Sequence, residues 1–497
     1  MAELSEFDHV NVGDTVYRRA RRRDGPLPLS TKIYQGLGAL PGSHKTFAFS
    51  TFLLLYYNQI LGVPAGFTSG ILALALIVDA VTDPLIGAYS DQIKSRLGRR
   101  HPLMYAAALP MGLTVFALFA PPATLSQIAL MAWLLFFTVA THLSFTAFVV
   151  PWSALQAEFS DDYQERTAVV TYRHIVGWVG GTLFSVSVFA VVFAGNDEYV
   201  QGQLNPANYQ SFAILLGVLC TFWCLLTAHL TRREIPYFLQ PVQARKVHLK
   251  MLFDAVILAL RGTNFRLILF GTMLYFVVIG VGGVFDVFMT TFFWGLRGED
   301  LSFVAAFVVV GPLAAFGLIP LLQSRYQKHH VVITCLAAGM VLGILKVCLR
   351  FADILPENGE TTLLVVIIAY VSVEAFFSTI AGILFASMIA DLVDEQELLV
   401  GYRQEGVFLS ALAFSQKATA GFGIIVGGLL LQFFVGMSPG SKAVPAPDEL
   451  FRLALTDGVL VNVFLVIPIW MMSRYTLTRE RLQEIQARLA DRRDQQG

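Results

Sequence analysis

Two aspartates lie four residues apart in a strongly apolar stretch of the sequence. Asp79 and Asp83 occur in LIVDAVTDPLIG, and on a helix this spacing places both carboxylates on one face, about 6 Å apart. Two neighbouring carboxylates resist joint ionisation, so the pair favours binding of a proton or a small monovalent cation. We therefore predict a cation site here. A structural alternative is that Asp83 bonds backbone groups freed by Pro84.

A lysine is expected at a similar depth. Counted from the start of its apolar stretch near Glu405, Lys417 lies some twelve residues in, or ~18 Å at the rise of a helix. That depth argues against a side chain that reaches back to the membrane surface. An acid pair and a lysine near one midplane compensate each other, so we predict a buried charge cluster straddling the two halves, in which Lys417 couples the cation and substrate sites.

Four more ionisable side chains fall in apolar stretches. Asp286 and Glu374 each stand alone in sequence, so lining a substrate cavity and making a local helix–helix hydrogen bond remain equally open. His142 and His174 suit proton relays, although a hydrogen bond between helices is the favoured explanation for each.

The composition places these residues in a membrane protein. Of 497 residues, 56% are hydrophobic and 14% are charged, whereas soluble domains carry about 25% charged residues. Lys+Arg and Asp+Glu balance at 35 each, so net charge indicates no nucleic-acid partner. The four cysteines lie in apolar runs, which argues against disulfides or zinc. No cleavable signal peptide is expected. The chain shows no nucleophile elbow or phosphate-binding loop, so we predict neither an enzyme nor a cofactor.

Apolar runs long enough to cross a ~30 Å hydrocarbon core recur as two sets of six around a polar centre. The predicted organisation is an N-terminal tail at 1–32, a first half at 33–231, a central loop at 232–265, a second half at 266–474 and a tail at 475–497. The twelve spans are expected at about 33–62, 66–91, 102–120, 126–156, 169–195, 209–231, 266–294, 300–322, 331–351, 362–390, 405–435 and 452–474. The charged segment 476–493 is predicted to be a solvated helix.

Basic residues give the orientation, because Lys and Arg near helix ends stay on the cytoplasmic side. They concentrate in the N-terminal tail, every second loop and the C-terminal tail, so both termini are expected in the cytoplasm of a multi-pass inner-membrane protein. The loop after the second span is basic and the loop after the tenth is acidic. We predict a cytoplasmic gate formed by Asp91, Arg96, Arg99, Arg100, Asp391, Asp394 and Glu397.

Three segments carry a family resemblance: DAVTDPLIGAYSDQIKSRLGRRHP at 79–102, VPWSALQAEFSDDYQERT at 150–167 with Arg173 close behind, and IADLVDEQELLVGYRQEGVFLSALAFSQKATAGFG at 389–423. With them the chain resembles the glycoside-pentoside-hexuronide:cation symporters, the melibiose permease-like branch of the major facilitator superfamily. The resemblance implies the all-α major facilitator fold with twelve spans. It also implies that Asp79 and Asp83 serve the cation site, that Lys417 lies between cation and sugar, and that Arg173 lines the substrate region.

The sequence departs from that family at three positions. The third acid of the cation site corresponds to Val149, the sugar-binding acid of the first span to Ser43, and the tryptophan of the fourth span to Ser153, with Trp152 adjacent. Galactoside recognition is therefore not implied. Fewer carboxylate oxygens favour H⁺ over Na⁺ as the coupling ion. The expected substrate-cavity residues are Ser43, Tyr57, Val149, Trp152, Arg173, Asp286 and Glu374.

These observations predict a monomeric secondary transporter that couples H⁺ or Na⁺ to a small solute, most simply a sugar or glycoside. The chain also resembles vertebrate sodium-dependent lysolipid symporters, which share the Asp-Ala-x-Thr-Asp-Pro pattern. Forty phenylalanines suit a lipid-like substrate as well as ordinary packing. A non-transporting sensor on the same fold is a further alternative.

Overall fold

The computed structural model describes residues 8–12, 15–19, 25–160, 162–238, 240–241, 262–400, 405–440 and 445–494. Within these ranges, eleven helical segments are long and apolar enough to cross a membrane. The helices are α1 Leu29–Leu37, α2 Leu40–Phe47, α3 Ala65–Gln92, α4 His101–Phe119, α5 Gln127–Glu158, α6 Tyr163–Ser187, α7 Pro206–Thr231, α8 Thr263–Phe288, α9 Gly298–Phe307, α10 Val310–Arg325, α11 Lys328–Phe351, α12 Thr361–Val400, α13 Glu405–Leu429, α14 Pro447–Leu455, α15 Val461–Val463, α16 Val466–Ser473 and α17 Arg479–Asp494.

The first predicted span is not one continuous helix. It is built from α1, α2 and two wide π-helical stretches, Ala48–Leu53 and Tyr56–Ile60, so it is not among the eleven long helices. Between α1 and α2 the backbone turns at Gly38, where an added Cβ would lie 2.0 Å from the Trp152 indole nitrogen. Glycine is therefore needed at this close approach.

The small sheet was not predicted by the sequence analysis. Strands β1 (Asp8–Val12), β2 (Thr15–Arg19) and β3 (Gln240–Pro241) pair in the order β1-β2-β3, both pairs antiparallel. The sheet joins the N-terminal tail to the start of the central segment. No sequence pattern predicts the pairing with β3, since a two-residue strand shows no alternation of polar and apolar residues.

Contacts divide the chain into two units. The first comprises Met1–Val63 and Leu74–Lys246, and the second comprises Pro64–Ala73 and Val247–Gly497. The division falls within the predicted central loop, most of which lies outside the described residues. Helix α3 contributes to both units, and the part carrying Asp79 and Asp83 belongs to the first.

Small residues allow close helix packing inside each unit. In the second unit, a Cβ added to Gly280 of α8 would lie 2.5 Å from the Ala420 carbonyl oxygen and 3.1 Å from Cα of Gly423, both on α13. Such small-residue contacts are typical of membrane helices, which pack by van der Waals contact rather than by a hydrophobic driving force.

Aromatic side chains fill the core of the first unit. The Phe52 ring stacks on Phe193 at 4.4 Å, and Tyr56 stacks on Tyr209 at 4.2 Å. Phe212 joins this cluster 5.2 Å from Phe52. Much of the aromatic content of this unit is therefore used in packing, because stacked and tilted ring pairs stabilise a core.

The sequence analysis predicted a solvated C-terminal helix, but one face of α17 is buried. Ile485 and Leu489 are 2% and 4% exposed and pack into the apolar core of the second unit. Their i,i+4 spacing places them on one face of α17, while Glu484 on another face pairs with Arg481 and Arg488. Two apolar residues among many charges gave too weak a periodicity for this docking to be recognised.

Candidate functional site

Three elements of the first unit contribute to one polar cluster. Helix α3 contributes Asp79 and Asp83, which are spaced i,i+4. Helix α5 contributes His142 and Thr146 at the same spacing, and α2 contributes Lys45. We call these five residues the acid-pair cluster. Lys45, Asp79, His142 and Thr146 are between 1% and 7% exposed, whereas Asp83 is half-buried.

Hydrogen bonds join the two carboxylates to α5. The Thr146 hydroxyl lies 3.0 Å from Asp83 Oδ1 and 3.4 Å from Asp79 Oδ1, and its single hydrogen can serve one carboxylate at a time. Nδ1 of His142 lies 2.9 Å from Asp79 Oδ2. The Asp83 carboxylate thus accepts a hydrogen bond from another helix, and the alternative that it bonds backbone near Pro84 stays open.

His142 Nδ1 also lies 3.1 Å from Nζ of Lys45. A neutral imidazole nitrogen either donates a hydrogen or accepts one. If Nδ1 carries the hydrogen it donates to Asp79, and if it carries a lone pair it accepts from the Lys45 ammonium. The imidazole can therefore exchange partners when a proton arrives or leaves, which is the chemistry a proton-accepting site requires.

Lys45 was missed by the sequence analysis. It lies twelve residues into the run that begins at 33, as deep as the depth count placed Lys417. The same count would have identified it, but Lys45 ends the polar segment GSHK and so does not stand out as a single charge within an apolar run. The Lys45 ammonium also lies 4.5 Å and 5.3 Å from the ring centres of Phe145 and Phe49, which supply cation–π contacts.

A second polar group in the first unit surrounds Trp152. Its indole nitrogen donates to the Gln35 carbonyl oxygen at 2.9 Å, and the Gln35 amide donates back to the Trp152 carbonyl at 2.8 Å. The Arg173 guanidinium lies 5.1 Å from the Trp152 ring centre and donates to Gln156 at 3.1 Å. Arg173 and Trp152 are thus brought together, as a substrate-lining pair requires.

The remaining first-unit residues of the predicted substrate cavity differ from one another. The Ser43 hydroxyl donates to the Gly177 carbonyl at 3.0 Å, and Val149 is partly exposed. Tyr57 is fully buried, with its hydroxyl donating to the Leu118 carbonyl at 2.8 Å. Both its ring and its hydroxyl are thus used in packing, and its assignment to the substrate cavity stays a prediction.

In the second unit, Asp286 and Glu374 line one cavity of about 480 Å³ enclosed by α8, α11, α12 and the α14–α16 region. Lys346 and Asp457 line it too and form an ion pair of 2.9 Å. Nζ of Lys346 also lies 4.9 Å from the Tyr370 ring centre. Asp286 and Glu374 therefore line the same cavity as a lysine and a third acid. This arrangement favours the cavity-lining role over a local helix–helix hydrogen bond.

Lys417 lies in α13, within the second unit, and is partly buried. Its role as the coupling residue stays a prediction. His174 is exposed on α6, so it does not join the acid-pair cluster.

The predicted gate residues have partners within their own units. Glu158 Oε1 accepts from Arg99 at 2.7 Å and from Arg100 at 2.9 Å, and Asp91 lies 2.6 Å from Arg100. Glu158, 4% exposed, was missed by the sequence analysis although it lies in the quoted segment AEFSDD. Of the other gate residues, Arg96 is exposed, Asp391 pairs with Lys328 at 2.6 Å, Glu397 is partly buried and the Asp394 side chain lies outside the described residues.

Comparisons with known proteins agree with this architecture. The family model described as "MFS/sugar transport protein" matches residues 34–479. The inner membrane symporter YicJ of Escherichia coli is 24% identical, with 93% of this chain and 95% of YicJ covered. The sodium-dependent lysophosphatidylcholine symporter 1 of Gallus gallus is 24% identical over 96% of this chain and 92% of its own.

A solved structure supports the fold. The nucleoside transporter NupG superposes with a TM-score of 0.61 at 15% identity, covering 90% of this chain and 99% of NupG. Since the family model matches most of its length, the chain belongs to the family of MFS/sugar transport proteins and is a multi-pass membrane transporter rather than an enzyme.

Proposed function

We propose that this protein is a cation-coupled symporter that carries a small organic solute, a sugar or glycoside, by alternating access. The observation that carries the proposal is the acid-pair cluster. Ionisable groups at membrane depth cost at least ~2.5 kcal/mol each on insertion scales. Two carboxylates that share a threonine hydroxyl and meet an imidazole are explained by binding and releasing a cation.

The substrate assignment has separate support. The family description names sugar transport, and hydroxyl-rich solutes are bound by aromatic faces combined with polar side chains. Arg173 and Trp152 offer such a pair in the first unit, and Asp286 and Glu374 line the cavity of the second. Lys417 is the proposed link between cation and substrate, and the charged residues near 91–100 and 391–397 are the proposed gate.

A lysolipid-type amphiphile is the second candidate. It is favoured by similarity to the lysophosphatidylcholine symporter, which extends over nearly the whole chain. The phenylalanine content adds little support for a lysolipid substrate, because the rings of Phe52, Phe193 and Phe212 pack against one another. A sensor that does not transport remains the alternative if no substrate accumulates.

The test begins with the substrate. Purified protein is screened by thermal shift against sugars, glycosides, hexuronates and lysolipids, because a ligand that binds only the folded state raises its apparent stability. The ligand found is then used for uptake into proteoliposomes under an imposed cation gradient. Asp79→Asn and Asp83→Asn should abolish accumulation against a gradient and leave exchange of substrate across the membrane.

The matched control is Asp197→Asn, since Asp197 is exposed in the loop between α6 and α7. It should accumulate substrate as the wild type does. Full gradient-driven accumulation in both single variants of the acid pair would remove these carboxylates from the mechanism. Exchange without accumulation in the wild type would replace symport by uncoupled transport.

A further inference from the structure

We propose that Lys45 is a tethered cation that serves the acid pair of Asp79 and Asp83 and excludes alkali metal ions from it. This inference rests on the proposed function, because it concerns the same two carboxylates. It adds which cations the site rejects and which residue rejects them.

The position of Lys45 is fixed from several sides. Its Nζ lies 3.1 Å from the same His142 nitrogen that lies 2.9 Å from Asp79, so the ammonium and the carboxylate both contact one imidazole nitrogen, which bonds to one of them at a time. The Phe145 ring lies 4.5 Å away and favours the ammonium by its negative face. With 6% of the residue exposed, this lysine does not extend to the membrane surface.

Counted over its five residues alone, the acid-pair cluster can hold more negative than positive charge. Two ionised carboxylates carry two negative charges, and Lys45 supplies one positive charge. A proton can supply the missing charge on His142 or on a carboxylate, without any coordination shell.

An alkali ion meets two obstacles in this cluster. It takes oxygen ligands, and the Thr146 hydroxyl is one near Asp79, yet another described neighbour of Asp79 is an imidazole nitrogen, which itself lies 3.1 Å from the Lys45 ammonium. It would also lie a few ångströms from the positive charge of Lys45, in surroundings where like charges repel far more than in water. Removal of Lys45 should therefore convert the site into one that accepts Na⁺ or Li⁺.

The experiment measures Na⁺ binding and needs no substrate. Purified wild type and Lys45→Met are titrated with NaCl at constant ionic strength against N-methyl-D-glucamine chloride, and thermal unfolding and calorimetry are recorded. The wild type should show no saturable Na⁺-specific response. Lys45→Met should acquire one. Its apparent affinity for Na⁺ should be at least about tenfold above the upper limit that the wild-type titration sets. Lys45→Gln provides the same measurement if the methionine variant does not fold.

The controls separate this inference from general effects. Lys94→Met removes an exposed lysine and should stay indifferent to Na⁺, and the double variant Lys45→Met/Asp79→Asn should lose the acquired response. Saturable Na⁺ binding by the wild type, or folded Lys45 variants that ignore Na⁺, would overturn the inference. Because binding is measured without transport, a failure of the proposed symport leaves this outcome readable.

Discussion

His142 and Asp79 connect helices α5 and α3 through a contact of 2.9 Å between Nδ1 and Oδ2. The contact lies one turn from the one between Thr146 and Asp83, so both members of the i,i+4 pair on α3 meet both members of the i,i+4 pair on α5. Two helices that share polar contacts on one face hold the carboxylates in a fixed relation, as the proposed cation site requires.

The first prediction concerns Thr146 and uses a control from the same helix. Thr146→Val removes the hydroxyl that lies 3.0 Å from Asp83. A hydrogen bond to a charged group contributes ~1.5–3 kcal/mol, so the apparent affinity for the coupling ion should fall at least about tenfold. The measurement is cation-driven uptake as a function of cation concentration.

Thr138→Val is the matched control. Thr138 is fully buried on α5, two turns before Thr146, and its hydroxyl has no hydrogen-bond partner within the described structure. Its replacement should leave cation dependence unchanged. Equal effects of the two valine substitutions would mean that Thr146 acts through packing and not through Asp83.

The second prediction concerns the ion pair in the cavity of the second unit. Lys346 and Asp457 lie 2.9 Å apart with side chains 17% and 11% exposed. Removing one partner of a buried pair costs ~3–5 kcal/mol, because the other charge stays buried without compensation. Lys346→Met and Asp457→Asn should each lower the unfolding temperature in detergent, and the double variant should be more stable than the worse single variant.

Additive losses in this double-mutant cycle would show that the two residues do not interact. Tyr370→Phe is a useful comparison, since it keeps the ring that lies 4.9 Å from Lys346 and removes only the hydroxyl. It should cost less than either charge substitution.

The third prediction concerns docking of the C-terminal helix. Leu489→Ala removes a side chain that is 4% exposed in the core of the second unit. Leucine-to-alanine changes at buried sites cost ~2–5 kcal/mol, which should release α17 and accelerate tryptic cleavage after Arg481 and Arg488. Gln483→Ala, on the exposed face of the same helix, should cleave at the wild-type rate. Wild-type protection of the leucine variant would contradict the docking.

Two properties decided which site residues could be predicted from the sequence. One is the free-energy cost of placing the residue in the membrane, and the other is whether its partner lies nearby in sequence. Asp79 and Asp83 were found because an acid in an apolar span demands an explanation. Lys45 escaped because it follows a polar stretch, and His142 was left open because one histidine has no spacing partner in sequence. Glu158 meets Arg99 across 59 positions, and no local pattern encodes such a contact.

The helical spans themselves were predictable, because each needs a long apolar run. The breaks within the first span were not. They depend on the close approach of Trp152 to Gly38 and on wide helical turns, which arise from tertiary packing and not from local propensity. Substrate identity depends on a few side-chain positions in a cavity, so the family resemblance narrows it only to a class.

The last prediction concerns the basic loop after α3. Arg99 and Arg100 share one oxygen of Glu158, and both guanidinium groups are largely buried. Ion pairs across the proposed gate, between these arginines and the acids near 391–397, would be worth ~0.2–1 kcal/mol each when exposed, so two or three together would suffice for a shift of about tenfold in a conformational equilibrium. Replacing both arginines by glutamine should favour the inward-open state and leave substrate specificity unchanged.

Double electron–electron resonance tests this directly. Spin labels at Lys94→Cys and Tyr326→Cys, both exposed and both expected on the cytoplasmic side, report the distance between the loops after α3 and α10, with the exposed Cys348 first replaced by alanine. The arginine double variant should shift the distribution to longer distances, whereas Gln92→Ala, an exposed change at the end of α3, should not. A distribution superimposable on wild type would leave the basic loop as a topology signal, held locally by Glu158, and not a gate.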